Sequence, residues 1–506
     1  MARITPLLGC VVALWATTAP AAPVARPVAM EEAVEWAVGR NLGVALAAEA
    51  VPIAKASEVK AAADFDTAVT ATVDFDHTET PTASDLFGTT RESLALSLGL
   101  AHRFAFGTEA SLKLTGDRQR DNFPFSTLNP HFDAALDLAI TQPLLRGGGT
   151  AVNLAPVRLA RVASEAEAVR LRAAMEEVVL ATEESYWHLV EAGERLKVAR
   201  ASLELARSLA ENVDERVRVG GLPPYERLGA EAEVALREEG VAVAEQGLAD
   251  AQDRLLEVTG VGTEEAESWN LRPLPAPLPP IEAERPDLAV ALARARDHRT
   301  DLALARLARE RRGLEAARAD NLRLPDLALT GRAGVGGLTG DQRVHELADQ
   351  LGRRDFLSYG VGLALTYPLG NRAGRAAADQ AHRRHRQADL ALRKAAAAAV
   401  EAVRAAVREV TTSERRIEAT AKAVASRQAL LGAEEEKFRA GVATPHDVLE
   451  VQRDLTEARE RHVASRTAYL LAVARLWDSE GMLLERHHLR VEVAGASRAR
   501  GLGGGG

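Results

Sequence analysis

Two carboxylates, Asp447 and Glu450, lie just past a glycine turn in the stretch EKFRAGVATPHDVLEVQRD, which begins at Glu436. Spaced three apart, they share one face of a helix. Acids in a first helical turn also complement the positive end of the helix dipole, and Thr444 with Asp447 has the form of a capping box. His382 and His385 have the same spacing and would offer two nitrogens to a metal. Arg383, Arg384 and Arg386 beside them repel cations, so no metal site is read there, nor at His487-His488. GVGGLTGD (334–341) has the glycines of a phosphate-binding loop but not the βαβ context, and reads as a flexible loop. No nucleophile, base and oxyanion donor gather anywhere. The chain is therefore expected to be no enzyme and to need no cofactor.

The elements that must position these residues follow from composition. The 506 residues are 47% hydrophobic but only 4% aromatic, a profile of long helices rather than one compact core. The formal net charge of -9, with basic residues interleaved among acids, argues against a nucleic-acid partner. MARITPLLGCVVALWATTAPAAPVA has a basic start, an apolar run and a small-residue cleavage site, and reads as a secretory signal peptide over residues 1–22. Its Cys10 is the only cysteine, and a lipoprotein reading of Leu7 to Cys10 is the lesser alternative. No later run reaches the length of a transmembrane helix.

The quoted turn has a twin, ERVRVGGLPPYERLGAEAE from Glu215. At an offset of 221, Gly220 pairs with Gly441, Pro224 with Pro445 and Glu226 with Asp447. TQPLLRGGG at Thr141 likewise pairs with TYPLGNRAG at Thr366, so the chain reads as an internal duplication. Each half opens with a helix, about 30–62 and about 286–322, and then alternates before a very long helix. Leu189, Leu196 and Leu203 step by seven, and Val400, Val403, Val407 and Val410 by three and four, the seams of coiled-coil packing. Unbroken, residues 372–440 would span about 100 Å.

Between the helices, sequence alternation has period two. Val69, Val73 and Phe75 share a face, as do Leu94 to Leu100, Leu136 to Ile140 and Tyr359 to Tyr367; small or polar residues occupy the other. Such runs fit strands of an outer-membrane barrel, and nine of the ten phenylalanines lie in or beside them. HTETPTASDLFGTTRE and GGLTGDQRVHELADQLGRRD read as long polar loops. One clear hairpin per half gives four strands, too few to close alone, so several copies must share a barrel.

With these motifs in order twice over, the chain resembles the TolC-like outer membrane efflux protein family along its mature length. The resemblance implies a homotrimer with a shared twelve-stranded barrel in outer-membrane lipid and a helical barrel across the periplasm. It implies an exit duct of a tripartite efflux pump or type I secretion system, working with a periplasmic adaptor and an inner-membrane transporter. Its adaptor-contacting tips correspond to Val219, Gly220 and Gly221, and to Ala440, Gly441 and Val442. Its lumen constriction corresponds to Asp447 and Glu450, repeated as two acidic rings favouring cations. Gln142, Pro143, Gly147, Pro368 and Gly370 mark the passage from barrel to helix.

The expected fold class is mainly α with a transmembrane β portion. Repeats are expected at 23–270 and 287–482, with a proline-rich linker at 271–286 and a tail at 483–506 whose end is disordered. One departure stands out: Ser93 to Thr115, centred on Phe106-Gly107, looks like an additional hairpin. Inside the barrel it would raise a trimer to eighteen strands; otherwise it is an excursion on either side of the membrane. The competing reading of the whole is a soluble periplasmic coiled-coil adaptor or spacer, against which the two hairpin units and the barrel-like strands argue.

Overall fold

The computed structural model describes residues 24–83, 88–261, 271–275, 277–279, 286–340 and 345–489. The signal segment, Phe87 and the final tail lie outside them. In chain order the elements are β1 (Val24–Pro27), α1 (Met30–Arg40), α2 (Leu42–Ala62), β2 (Ala68–Glu79), β3 (Thr90–Arg103), β4 (Glu109–Asp121) and β5 (His131–Pro143). There follow α3 (Thr150–Asn153), α4 (Ala155–Arg218), α5 (Tyr225–Thr259), β6 (Leu271–Leu274), α6 (Leu288–His298) and α7 (Thr300–Leu322). The last are β7 (Asp326–Gly340), α8 (His345–Arg353), β8 (Phe356–Thr366), α9 (Arg372–Arg439), α10 (Pro445–Glu480) and α11 (Leu483–Arg486). No described helix is long and apolar enough to cross a membrane.

The chain divides into two compact units. One holds β2 to β5, β7 and β8 with the helical segments that adjoin them in sequence, 47–62, 150–173, 300–322 and 372–398. Its strands form a single antiparallel sheet in the order β2-β3-β4-β5-β7-β8. The expectation of four strands is thus corrected to six. The turn at Phe106-Gly107 closes a regular hairpin: Phe104 N–H donates to Thr108 O and Gly107 N–H to Phe104 O, both at 2.8 Å. The segment expected as one long polar loop after Gly336 instead carries regular structure, since β7 runs on to Gly340 and α8 spans His345–Arg353. There the Gln350 side-chain amide accepts from Leu338 N–H at 2.9 Å and donates to Leu338 O at 3.3 Å. It supplies the partner that β8, beginning at Phe356 opposite Gly336, no longer reaches.

The other unit holds α1, the parallel β1–β6 pair, α5, α6, α10, α11 and residues 174–218 and 399–439 of the long helices. Leu189, Leu196 and Leu203 are all buried, as their seven-residue spacing predicts, and so are Val403 and Val410. Both opening helices break where one was expected. Asn41 ends α1 and starts α2, its side-chain oxygen accepting from Gly43 N–H at 2.8 Å. Arg299 separates α6 from α7, its N–H still bonded to Ala295 O at 3.2 Å. Each break lies under the left-handed glycine that ends a returning helix. A Cβ on Gly260 would come within 2.8 Å of Arg40 O, and one on Gly481 within 2.7 Å of the His298 carbonyl carbon. Part of the proline-rich segment pairs as β6, and Arg466 donates to Pro279 O at 2.9 Å. At the start of the C-terminal segment, Leu483 and Leu484 are buried.

Candidate functional site

The register puts one kind of side chain on each face of the sheet. Val73 pairs with Leu96, Ala71 with Leu98, Leu98 with Leu114, Leu114 with Leu136, Leu136 with Val335 and Val335 with Leu357. A single apolar face therefore crosses all six strands. The opposite face carries Thr72, Ser97, Thr115, Lys113, Asp117, Asp137 and Ser358, with Thr72 Oγ1 and Ser97 Oγ hydrogen-bonded at 2.8 Å. Exposure runs opposite to a water-soluble sheet. In β3 the leucines are exposed while Ser93, Ala95, Ser97 and Gly99 are half-buried. Tyr359 is 84% and Val361 81% exposed. An apolar face this broad and this open is stable only against hydrocarbon.

Aromatics sit at both ends of that face. Phe65, Phe104, Phe106 and Tyr367 adjoin the ends that lead into helices, while Phe75, Phe123, Phe125, Phe132 and Phe356 lie toward the other. The 11 residues of β8, from Phe356 to the strand end before Tyr367, rise about 36 Å along the strand at roughly 3.3 Å each. Tilted roughly 40°, that is about 28 Å of height, close to the roughly 25 Å apolar band of an outer-membrane barrel.

The predicted junction residues of each half are fixed by a separate set of hydrogen bonds. Gly147 N–H donates to Asn321 Oδ1 at 2.8 Å, and Asn153 Nδ2 donates to Gly147 O at 2.7 Å and Gly149 O at 2.9 Å. Gln142 Nε2 donates to Pro143 O at 2.7 Å, and its Oε1 accepts from the Thr108 hydroxyl. In the second half Asn371 N–H donates to Pro368 O at 3.1 Å beside Gly370, whose φ is 88°. Asn371 Nδ2 donates to Arg323 O at 2.7 Å. The sequence reading missed Asn153, Asn321 and Asn371; the signal was an asparagine beside each glycine passage and at the end of α7.

Both tips turn with the same backbone. Gly220 has φ 77° and Gly441 φ 80°. Gly221 N–H donates to Arg216 O at 2.8 Å and Val442 N–H to Lys437 O at 3.0 Å, each the six-to-one bond of a Schellman turn. Val219 and Val442 are 70% and 75% exposed at the extremities. Beneath them Leu209, Val213, Leu431, Phe438, Val448 and Leu455 join the two hairpins in one core. Arg216 stands across it: its guanidinium lies 4.2 Å from the Phe438 ring centre and donates to Phe438 O at 2.8 Å and Arg439 O at 3.2 Å. It thus caps the carboxyl end of α9 from the first hairpin.

The two carboxylates at the second tip differ. Asp447 accepts from Thr444 N–H at 2.8 Å and from the Thr444 hydroxyl at 2.7 Å, completing a capping box. The Thr444 hydroxyl, then its N–H, hold the Asp447 carboxyl below the ordinary carboxylate range. Glu450 is exposed. At the first tip Pro224 starts α5 with no side-chain cap. Lys437 and Arg439 pair within their own helix, with Glu434 and Glu436, both at 2.9 Å. His382 bonds Asp320 at 3.0 Å and His385 lies 3.6 Å from where a Cβ on Gly313 would be. His487 pairs at 2.5 Å with Glu183, buried on α4.

Comparison with known proteins fits this geometry at two levels. The fold is that of outer-membrane channels. The Campylobacter jejuni CmeC outer membrane channel matches with a TM-score of 0.65 at 15% identity, over 90% of this chain and 86% of that one. The Vibrio cholerae outer membrane protein VceC gives 0.64 at 16%, over 89% and 96%. The Neisseria gonorrhoeae MtrE outer membrane channel, in an open state, gives 0.62 at 16%, over 90% and 89%. No curated protein sequence matches the chain. The sequence model of the outer membrane efflux protein family matches residues 291–481, so the second half carries that domain and the TolC-like resemblance holds.

Proposed function

We propose that the protein is the outer-membrane exit duct of a tripartite efflux pump or type I secretion system. The observation that carries this is the sheet, whose exposed apolar face runs across six strands while the polar face of β3 within it is half-buried. The working unit is a homotrimer, because a sheet with two free edges in lipid must find partners. The repeats at 23–270 and 287–482 supply β2 to β5 and β7 with β8 respectively, and the long helices line the periplasmic passage. The turns at Val219 to Gly221 and Ala440 to Val442 meet a periplasmic adaptor, which links the duct to an inner-membrane transporter. The duct performs no catalytic step; the transporter supplies the energy.

The constriction forms at the second tip. Glu450 supplies its principal acidic ring, since the Asp447 carboxylate is held by Thr444 and contributes its field from the side. Reconstituted in planar bilayers, the protein is expected to give stepwise, cation-preferring conductance. Glu450→Gln should lower that preference, and Glu450→Gln with Asp447→Asn should lower it further. Unchanged selectivity in both would remove these residues from the constriction.

A further inference from the structure

We infer that the β3–β4 hairpin is part of the membrane wall, so that each copy of the chain gives six strands to an eighteen-stranded barrel. In that ring β8 of one copy pairs with β2 of the next. The copy number rests on the homotrimer proposed above; the six strands are those of the single sheet.

The hairpin is additional to the duplicated plan. In the second half one helix leads into β7, and β8 leads into the next long helix. The matching first-half strands are β2, which follows α2, and β5, which precedes α3 and α4. Between them β3 and β4 are inserted in full register, paired to β2 on one side and β5 on the other. Because they occupy that place, β2 and β5 have no pairing with each other. An excursion outside the membrane would leave the β2 and β5 ladders free to meet.

Three further observations place the hairpin in the wall. Leu94, Leu96, Leu98 and Leu100, with Leu112 and Leu114, extend the exposed apolar face without a break. Ser97 and Thr115 extend the polar face and lie opposite one another. The turn is also fixed to the junction that starts the long helix. Gly149 N–H donates to Phe106 O at 3.0 Å, and Arg103 donates to Asn153 Oδ1 at 3.1 Å. A Cβ on Gly107 would lie 2.5 Å from Gly147 O, so the turn has been fitted against this passage as closely as a glycine allows.

The partner at each edge follows from strand parity. Six antiparallel strands leave β2 and β8 running in opposite directions, so a second copy continues the antiparallel pattern across the joint. Both edge strands are exposed along their length, with 12 residues in β2 and 11 in β8. Unpaired backbone groups at those edges would be untenable in hydrocarbon. Barrel diameter grows roughly in proportion to strand number, which makes the pore about half again as wide as a twelve-stranded one.

The test uses the full chain, extracted as its oligomer and returned to lipid vesicles, with one spin-labelled cysteine at a time. The sites are Leu98→Cys and Ser97→Cys on β3, Leu114→Cys and Thr115→Cys on β4, and Val361→Cys and Ser358→Cys on β8. Leu98, Leu114 and Val361 should be reached by dissolved oxygen and shielded from a water-soluble nickel chelate; Ser97, Thr115 and Ser358 should show the reverse. Leu96→Cys, on the same face, substitutes if the Leu98 variant fails to assemble. Native mass spectrometry of the extracted oligomer should give three copies. Chelate access to both faces of β3 and β4, with Val361 still in lipid, overturns the six-strand wall while leaving the duct. A copy number other than three overturns eighteen strands. Chelate access to Val361 as well defeats the membrane reading itself.

Discussion

Gly107 and Gly441 show how one residue type answers two different demands. Both have positive φ, 95° and 80°, but only Gly107 is also enclosed. Alanine at Gly441 would meet no neighbouring atom within 4 Å and so faces backbone strain alone, about 1 kcal/mol. Alanine at Gly107 adds a 2.5 Å approach to Gly147 O and should cost about 3 kcal/mol or more. Heating the oligomer in detergent should therefore dissociate Gly107→Ala well below wild type and Gly441→Ala only slightly below it. Acid sensitivity also belongs at this scale. The Asp447 carboxyl is held low by Thr444, so its stabilisation of the helix start is complete above the ordinary aspartate range. That contribution is lost as pH falls through the lowered value. Amide hydrogen exchange over residues 444–448 should accelerate on acidification in wild type, while Asp447→Asn, with no such charge to lose, should show a flatter response. Asp447 was legible in the sequence both as a capping residue and as a gate carboxylate. Spacing alone could not choose, because the same three-residue step serves both, and the hydroxyl of Thr444 gives the first role its contacts.

Among the elements, the sheet makes the sharpest demand on residue type. Val361 projects from the open apolar face near the middle of β8, and Ser97 from the half-buried polar face of β3. Arginine at Val361 should destabilise the assembled protein by about 2–4 kcal/mol, the cost of a cation near the bilayer midplane. Arginine at Ser97 should assemble and alter ion preference instead. Chemical unfolding of the vesicle-bound protein checks the first and bilayer conductance the second; equal tolerance at both sites would contradict the assigned faces. Strand alternation made most of these faces readable from sequence. The number of strands was harder to read, since Lys113, Thr115, Asp117 and Gln119 give β4 a strong polar face but only Leu112 and Leu114 a weak apolar one. Pairing with β3 and β5 compensates for that weakness, and pairing is not visible in one strand's sequence. The helix breaks at Asn41 and Arg299 escaped for a similar reason. Each depends on a glycine more than 180 residues away in the chain, Gly260 or Gly481, closing against it.

At the scale of the whole molecule, the two halves share the backbone of their tips and differ by the β3–β4 hairpin. The offset of 221 that aligns the tips also carries Gly260 onto Gly481, so both returning helices end on the same left-handed glycine. The β3–β4 hairpin has no counterpart among the described residues of the second half. All of this describes a chain whose sheet is built for lipid and whose helices are built to leave it. The most direct test of that claim is fractionation of cells expressing the full chain, followed by detergent extraction and electrophoresis with and without heating. The account predicts a heat-modifiable oligomer in the outer-membrane fraction. A monomer recovered in the soluble periplasmic fraction would contradict it.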